Sequence, residues 1–278
     1  MPISDFGRHN ESGARIYLQH WIIWEQIGFL LDPRIPVQGD SLKIADLACG
    51  TGIWLVDLAK RLPQTSQLDG FDISPAHFPS KHELPPQVIL SELDSFAAVP
   101  ENLVGKYDIV HCRGFSLYVA DGDPGPLIEN IKTMLKPGGY IHWEELDIEG
   151  MYVRSDKGPD AYPFCNKYIE RGLSWMASQN INASWVSNLS TSLSQHDFSI
   201  LKSERQTFKE SLARPWTTMQ LLATKDFIEN DIIPTCQDHE DGLSPTEWRE
   251  VLQKMPEECQ AGARVLLDFL WVVGRKEG

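Results

Sequence analysis

Between Glu11 and Leu31, the positions Leu18, Trp21, Ile22, Glu25, Gly28 and Leu31 recur at three- and four-residue steps. This largely apolar stripe predicts a helix, and Asp32-Pro33 stops it. A linker containing Pro36 and Gly39 leads to a short run, Leu42–Leu47, and Ile53–Leu62 then resumes helical spacing until Pro63. Gln67–Ile73 reads as a strand with Asp72 at its far end. Pro75, Pro79, Pro85 and Pro86 limit any helix in the loop beyond it to a turn or so. Val88–Leu93, closed by Asp94, and Lys106–Cys112 are further strands. Asp123-Pro124 has the form of a helix start, with an acidic cap and proline at the first helical position. The predicted helix Leu127–Leu135 meets a stop in Lys136-Pro137-Gly138-Gly139, and Tyr140–Leu146 is the fifth strand.

Strand and helix alternate from about residue 42 to 147, the pattern of an α/β protein with a doubly wound, mostly parallel, Rossmann-like sheet. Farther on, Tyr162–Ser178 reads as a helix, and Ser199–Glu204 and Trp271–Arg275 read as strands. Between those two strands, Pro215–Asn230, Pro245–Met255 and Glu257–Asp268 have helical character. The expected organisation is an N-terminal helical lid (1–40) and a main domain (41–278), with a helical cap at about 206–268 inserted before the last strand. No repeat or second independent domain is expected.

Charge narrows the partners. The 278 residues carry 25 Lys and Arg against 39 Asp and Glu, a formal net charge of −14. Polyanions bind through Lys and Arg, so nucleic acid and anionic membranes are not expected partners. Trp21–Leu31 and Val265–Gly274 are the most apolar stretches; each contains an acid, and both fall short of the roughly 20 residues of a membrane span. The five cysteines, Cys49, Cys112, Cys165, Cys236 and Cys259, are scattered without a CxxC pair. Neither a disulfide framework nor a zinc ribbon is expected, and a reducing cytoplasm is the expected setting. No basic segment followed by an apolar core opens the chain, so no secretory signal is expected.

The informative segment is Ile44–Gly52, IADLACGTG, a strand running into a glycine turn and then a helix. Backbone N–H groups gathered there suit an adenosine-bearing ligand. A dinucleotide fingerprint requires glycine at 48, 50 and 53, where the chain has Ala48, Gly50 and Ile53. A G-x-G-x-G pattern is met as Ala48, Gly50 and Gly52, and no Gly-x-x-x-x-Gly-Lys loop exists. Asp72, at the end of the second strand, is placed to accept from both hydroxyls of a ribose, and Asp94, at the end of the third, from an adenine amine.

IADLACGTG, LDGFDIS, KYDIVHCR and LKPGGYIHWEE together resemble the successive motifs of class I S-adenosylmethionine-dependent methyltransferases over about residues 42–147. Arg15, Gln19-His20 and the closing Trp271–Lys276 resemble the fungal natural-product methyltransferases and the methyltransferase-like regulators of secondary metabolism. Alanine for the first glycine is a departure from the family, mild because the ligand has no pyrophosphate. The resemblance implies S-adenosyl-L-methionine as cofactor. Asp46 and the backbone of Ala48, Cys49, Gly50 and Gly52 would hold its methionine end, Asp72 and Ile73 its ribose, and Asp94, Ser95 and Phe96 its adenine. His111, Cys112 and Arg113 would lie near the sulfonium, and the first helix, with Tyr17, His20 and Trp24, would close over it or serve as a homodimer interface.

Methyl transfer is an in-line displacement that asks the protein for positioning and a dry site. A general base is needed only for a nucleophile that must lose a proton. Glu144, Glu145 and His142 are the candidates, with His111 a further histidine beside them; in an extended strand Glu145 and Asp147 share a face with Trp143, and Glu144 shares the other with His142. His-Cys-Arg-Gly stands where methyltransferases of nucleobase or amide nitrogens have an Asn/Asp-Pro-Pro-aromatic element. A calcium loop beginning at Asp121 would need glutamate where Lys132 stands, so no metal is expected. Trp175, Trp185, Trp216 and Trp248 are either core residues or the walls of a pocket for a flat, apolar molecule. The expected function is methyl transfer to an oxygen or nitrogen of a small natural product. A cofactor-binding regulatory or scaffold protein, and an enzyme catalysing a non-methylating elimination or pericyclic step, remain open alternatives.

Overall fold

Strands that are apolar at nearly every position need cover on both faces, and this requirement decides the architecture. The computed structural model describes residues 10–37, 39, 41–235 and 243–278. Cys236 therefore lies outside the described residues. In chain order the elements are α1 (Asn10–Ile27), β1 (Lys43–Leu47), α2 (Ile53–Ala59), β2 (Gln67–Asp72), β3 (Val88–Glu92) and β4 (Tyr107–Arg113). They continue with α3 (Gly125–Met134), β5 (Leu135–Leu146), β6 (Tyr152–Arg154), α4 (Pro163–Ser178), α5 (Leu189–Gln195) and β7 (Phe198–Thr207). The last are α6 (Glu210–Phe227), α7 (Ile233–Thr235), α8 (Pro245–Gln260), β8 (Arg264–Leu266) and β9 (Asp268–Lys276).

Seven strands form one sheet in the order β3-β2-β1-β4-β5-β9-β7. The first five run parallel, and β9 and β7 complete the sheet antiparallel. This is the Rossmann-like α/β fold that the alternation predicts. Ile22, Ile44, Trp54, Trp216 and Phe269 pack on one face, and Leu47, Val110, Ile128, Trp143 and Trp185 on the other. Helix α1 is held to the start of α6: the Gln26 amide donates to Thr207 O, and Lys209 N donates to Gln26 Oε1. Among the described residues no helix is long and apolar enough to cross a membrane.

Three expectations need correction. Lys136–Gly139 ends the preceding helix, but the chain stays extended through it: Leu135 already pairs with Tyr107, and a register shift precedes the pairing of Ile109 with Tyr140. Pro256 does not divide two helices, since α8 runs through it to Gln260. The predicted helix Glu257–Asp268 is instead the end of α8, then β8, then the first residue of β9. An apolar run buried on both faces has no periodicity that separates strand from helix. The cap is also larger than 206–268. Its own core joins Tyr162, Cys165, Tyr168 and Met176, from before β7, to Phe227, Trp248, Val251 and Met255.

Gly70, in the middle of β2, lets α2 and the loop after β1 approach the sheet. A Cβ there would lie 2.5 Å from Leu90 Cδ2, 2.8 Å from Leu55 Cδ1 and 3.0 Å from Cys49 Sγ. Gly70→Val therefore overpacks a junction of three side chains, and we expect a loss of roughly 1–3 kcal/mol in urea unfolding. An unchanged midpoint would show that the junction is loosely packed.

Candidate active site

The turn after β1 builds the first wall. Ala48, Gly50 and Gly52 have φ of 56°, 55° and 71°, so three of five consecutive residues occupy the left-handed region. Glycine adopts it freely, whereas alanine at 48 costs on the order of 1 kcal/mol, so the departure at Ala48 is a strained one. The turn is closed by Cys49 N donating to Phe71 O (3.0 Å) and Gly52 N donating to Cys49 O (2.8 Å). It also aims Gly50 N at Asp72 Oδ2 (2.9 Å), while Ser74 N donates to Asp72 Oδ1 (3.1 Å). Two backbone donors thus fix the carboxylate at the end of β2. Burial still pushes its pKa above the ordinary aspartate value. At the end of β3, Asp94 Oδ1 accepts from Phe96 N (2.9 Å).

These groups open onto a cavity of about 690 Å³ above the carboxyl ends of the parallel strands, where open α/β sheets bind ligands. Asp46, Ala48, Cys49, Gly50, Asp72 and Ile73 line it, as do Asp94, Ser95, Phe96, Arg113 and His20. Three expected residues do not. Gly52 faces Leu90, which a Cβ there would touch at 2.9 Å. Cys112 is fully buried within β4, and Tyr17 is exposed on α1. Burial raises the thiols of Cys49 and Cys112 well above their usual range, as packing residues require.

The three candidate bases also stand away from the cavity. His142, Glu144 and Glu145 are each 0% exposed and contribute no surface to it. Strand alternation separates them as expected. Glu145 lies beside Trp143, whose Nε1 donates to it (2.8 Å), and it also accepts from Phe115 N, Ser116 N and Ser116 Oγ. Burial outweighs these donors and raises its carboxyl to about 7. Its contacts anchor the loop after β4, so it shapes the cavity from behind.

On the opposite face, parallel register aligns Asp46 with His111, His111 with His142 and Arg113 with Glu144. His111 Nδ1 donates to Asp46 Oδ1 (2.6 Å), and its ring stacks on Trp54 at 3.8 Å. Arg113 Nε donates to Glu144 Oε2 (2.6 Å). Burial alone would raise Glu144, but the guanidinium holds it well below the usual carboxylate range. Arg113 also donates to His20 Nδ1 (3.2 Å), and His20 Nε2 donates to Asp57 Oδ2 (2.9 Å). Helix α1 is thereby joined to α2 and β4 through one imidazole.

The far side of the cavity belongs to the cap and to the start of α1. Tyr168, Leu173, Met176, Met219, Gln220 and Asp226 line it. Arg15 from α1 lines it too, with Nε 3.8 Å from Asp226 Oδ2. Of the four tryptophans, Trp185, Trp216 and Trp248 are buried in the cores, and Trp175 meets Phe227 edge-on at 5.0 Å. None of the four lines the cavity, so the tryptophan-walled pocket is not formed. Helical spacing announces such residues as buried without saying which cluster they join.

Burial and the Arg113 cation together lower His20 to about 4, against about 6.5 in an unfolded chain. Below pH 6.5 the unfolded chain takes up a proton that the fold refuses. The stabilisation is therefore whole at neutral pH and lost as pH falls from about 6.5 toward 4. Between about pH 7 and pH 4.5, His20→Gln is expected to lose less stability than the unsubstituted chain by on the order of 2 kcal/mol. Parallel losses in urea titrations would place a proton on the folded-state imidazole.

Residues 45–141 match the methyltransferase domain family. The chain is 39% identical over 148 residues to the methyltransferase grgD of a Penicillium species, covering 50% of this chain and 51% of that protein. It is 32% identical over 145 residues to the N-methyltransferase tcpN of Claviceps purpurea, covering 51% of each. The chain thus spans about half the length of these curated relatives. The Haemonchus contortus phosphoethanolamine N-methyltransferase 2, in complex with S-adenosyl-L-methionine, superposes with a TM-score of 0.53 at 15% identity, over 99% of this chain and 60% of that one. Fold, glycine turn and domain match agree: residues 45–141 are similar to a methyltransferase domain, set in a Rossmann-like α/β fold.

Proposed function

We propose that the chain transfers a methyl group from S-adenosyl-L-methionine to an oxygen or nitrogen of a small, largely apolar natural product, as an enzyme of the cytoplasm. The observation that carries this reading is Asp72, held at the cavity by Gly50 N and Ser74 N. Each of its oxygens accepts one backbone N–H and keeps a lone pair for a further donor. Paired hydroxyls of a ribose match that demand. The carboxylate of Asp94, the next acid along the strand ends, suits an adenine amine.

When bound, the cofactor supplies an electrophilic methyl on a sulfonium centre. The chain positions, shields and excludes water. Asp46, itself accepting from His111, adds negative charge beside the turn. Leu173, Met176 and Met219 offer an apolar surface to the acceptor, with Gln220 and Asp226 as polar contacts. An amine acceptor that arrives neutral needs no base, which suits a cavity from which Glu144, Glu145 and His142 are withheld. Self-association through α1, whose Tyr17 and Trp21 are exposed, belongs to the same proposal, and light scattering is expected to give twice the monomer mass.

Incubation with methyl-labelled cofactor and a small-molecule metabolite extract is expected to move label into a small product and release S-adenosylhomocysteine. Cofactor bound but never consumed by any acceptor would overturn the assignment. In calorimetry, Asp72→Asn is expected to weaken cofactor binding by about tenfold or more, the loss of a charge-assisted hydrogen-bond pair. Unchanged affinity would remove Asp72 from the ribose role.

A further inference from the structure

Behind the cavity, three buried side chains turn bare polar atoms toward one another. His111 Nε2, both ring nitrogens of His142 and Glu144 Oε1 are buried without a hydrogen-bond partner among the described residues. His111 and His142 stand side by side on β4 and β5, and Glu144 is two residues farther along β5 on the same face. One ligand atom from each of His111, His142 and Glu144 lies within 4.8 Å of the other two.

Protons within the cluster do not resolve this arrangement. His111 spends its Nδ1 proton on Asp46, which leaves Nε2 a bare acceptor in the neutral ring. A second proton on Nε2 would point at Glu144 Oε2 across 3.7 Å, beyond hydrogen-bond reach. His142 Nε2 is 3.5 Å from Glu144 Oε1, again longer than a normal N–H···O bond. Lone pairs facing one another in a dry interior are costly unless a cation or a shared donor sits among them.

We propose that His111 Nε2, His142 Nε2 and Glu144 Oε1 form a buried site for a divalent transition-metal ion, with zinc the best match. Two imidazoles and one carboxylate are an established zinc donor set. Tetrahedral zinc with bonds of about 2.1 Å spaces its ligand atoms about 3.4 Å apart. The 3.5 Å between His142 Nε2 and Glu144 Oε1 is close to that spacing, and one ligand atom from each residue lies within 4.8 Å of the other two, a gap that small side-chain shifts can close. The surrounding shell is in place as well. Asp46 fixes the tautomer of His111 and raises its basicity, Trp54 fixes the ring plane, and Arg113 orients Glu144 through its other oxygen. His111 borders the cavity, which gives an ion a way in and a fourth ligand a source in solvent. The expectation of no metal rested on the Asp121–Asp123 loop; these three ligands come from two adjacent strands, where sequence spacing carries no metal signature. Bound there, the ion would pin β4 to β5 directly beneath Arg113.

The test is metal content of the whole chain after equilibration with zinc and gel filtration in metal-free buffer. About one zinc per chain is expected, with a raised melting temperature and at least about tenfold weaker retention in His142→Gln. A chain that keeps no metal would overturn the proposal and assign the gap to an ordered water. Equal retention in the variant would place the ion elsewhere and overturn it too. Should the variant fail to fold, cobalt loaded into the unsubstituted chain gives the answer. Intense tetrahedral d–d bands without thiolate charge transfer support the site; a thiolate band, or the weak spectrum of an octahedral surface ion, overturns it.

Discussion

The ion pair between Arg113 and Glu144 is what permits a carboxylate to sit inside the sheet. Glu144 is 0% exposed, and among the described residues the guanidinium, at 2.6 Å, is its one short charged partner. Removing one member of such a pair leaves a buried, uncompensated charge, typically at several kcal/mol. Arg113 is the more exposed member and faces the cavity, so the same cation that neutralises the interior also shapes the binding surface. It engages His20 as well, and through it Asp57. Four elements, α1, α2, β4 and β5, thus meet at one guanidinium, and the helix that borders the cavity is fastened by the group that stabilises the sheet.

The two faces of β5 serve different ends. Trp143 and Glu145 look toward the loop after β4, where Glu145 accepts from two successive backbone N–H groups and holds the chain in a fixed curve. On the other face, His142 meets the ring of Phe29, which itself packs edge-on against Trp271, and Glu144 meets Arg113. One strand therefore sets both the shape of the cavity wall and the charge behind it, and a one-residue slip would exchange the two. The register shift between Tyr107 and Ile109 brings β5 into the phase that aligns His111 with His142.

How much could be read from the sequence followed the range of the interactions. The five parallel strands, the glycine turn, Asp72 and Asp94 are local features with local signals: apolar runs, glycines where φ is positive, acids where a strand ends. The alternation that separates Glu144 from Glu145 was legible too. That neither carboxylate reaches the cavity was not, because burial depends on what covers the strand ends. Tyr168, Gln220 and Asp226 reach the cavity from segments far apart in the chain, and no pattern within any one segment marks them. Val265–Val273 was ambiguous for another reason: an apolar run buried on both faces looks alike as strand or helix, and the pairing of β8 with β6 and of β9 with β5 and β7 decides.

The division of the cap around β7 has a consequence for how the cavity comes into being. The side formed by the glycine turn, Asp72 and Asp94 is made mostly from residues 46–96, which lie close together in sequence, and a parallel βαβ unit can assemble it early. The side formed by the cap needs α4, from before β7, to meet α6 and α8, from after it, so the sheet edge must already be laid down. Contacts between residues so distant in sequence carry a larger loop-closure entropy and form late. The half of the cavity lined by the cap is thus the last to be built, and it rests on a finished platform. Substitutions there can reshape the cap's wall of the cavity while leaving the folding of the opposite wall untouched.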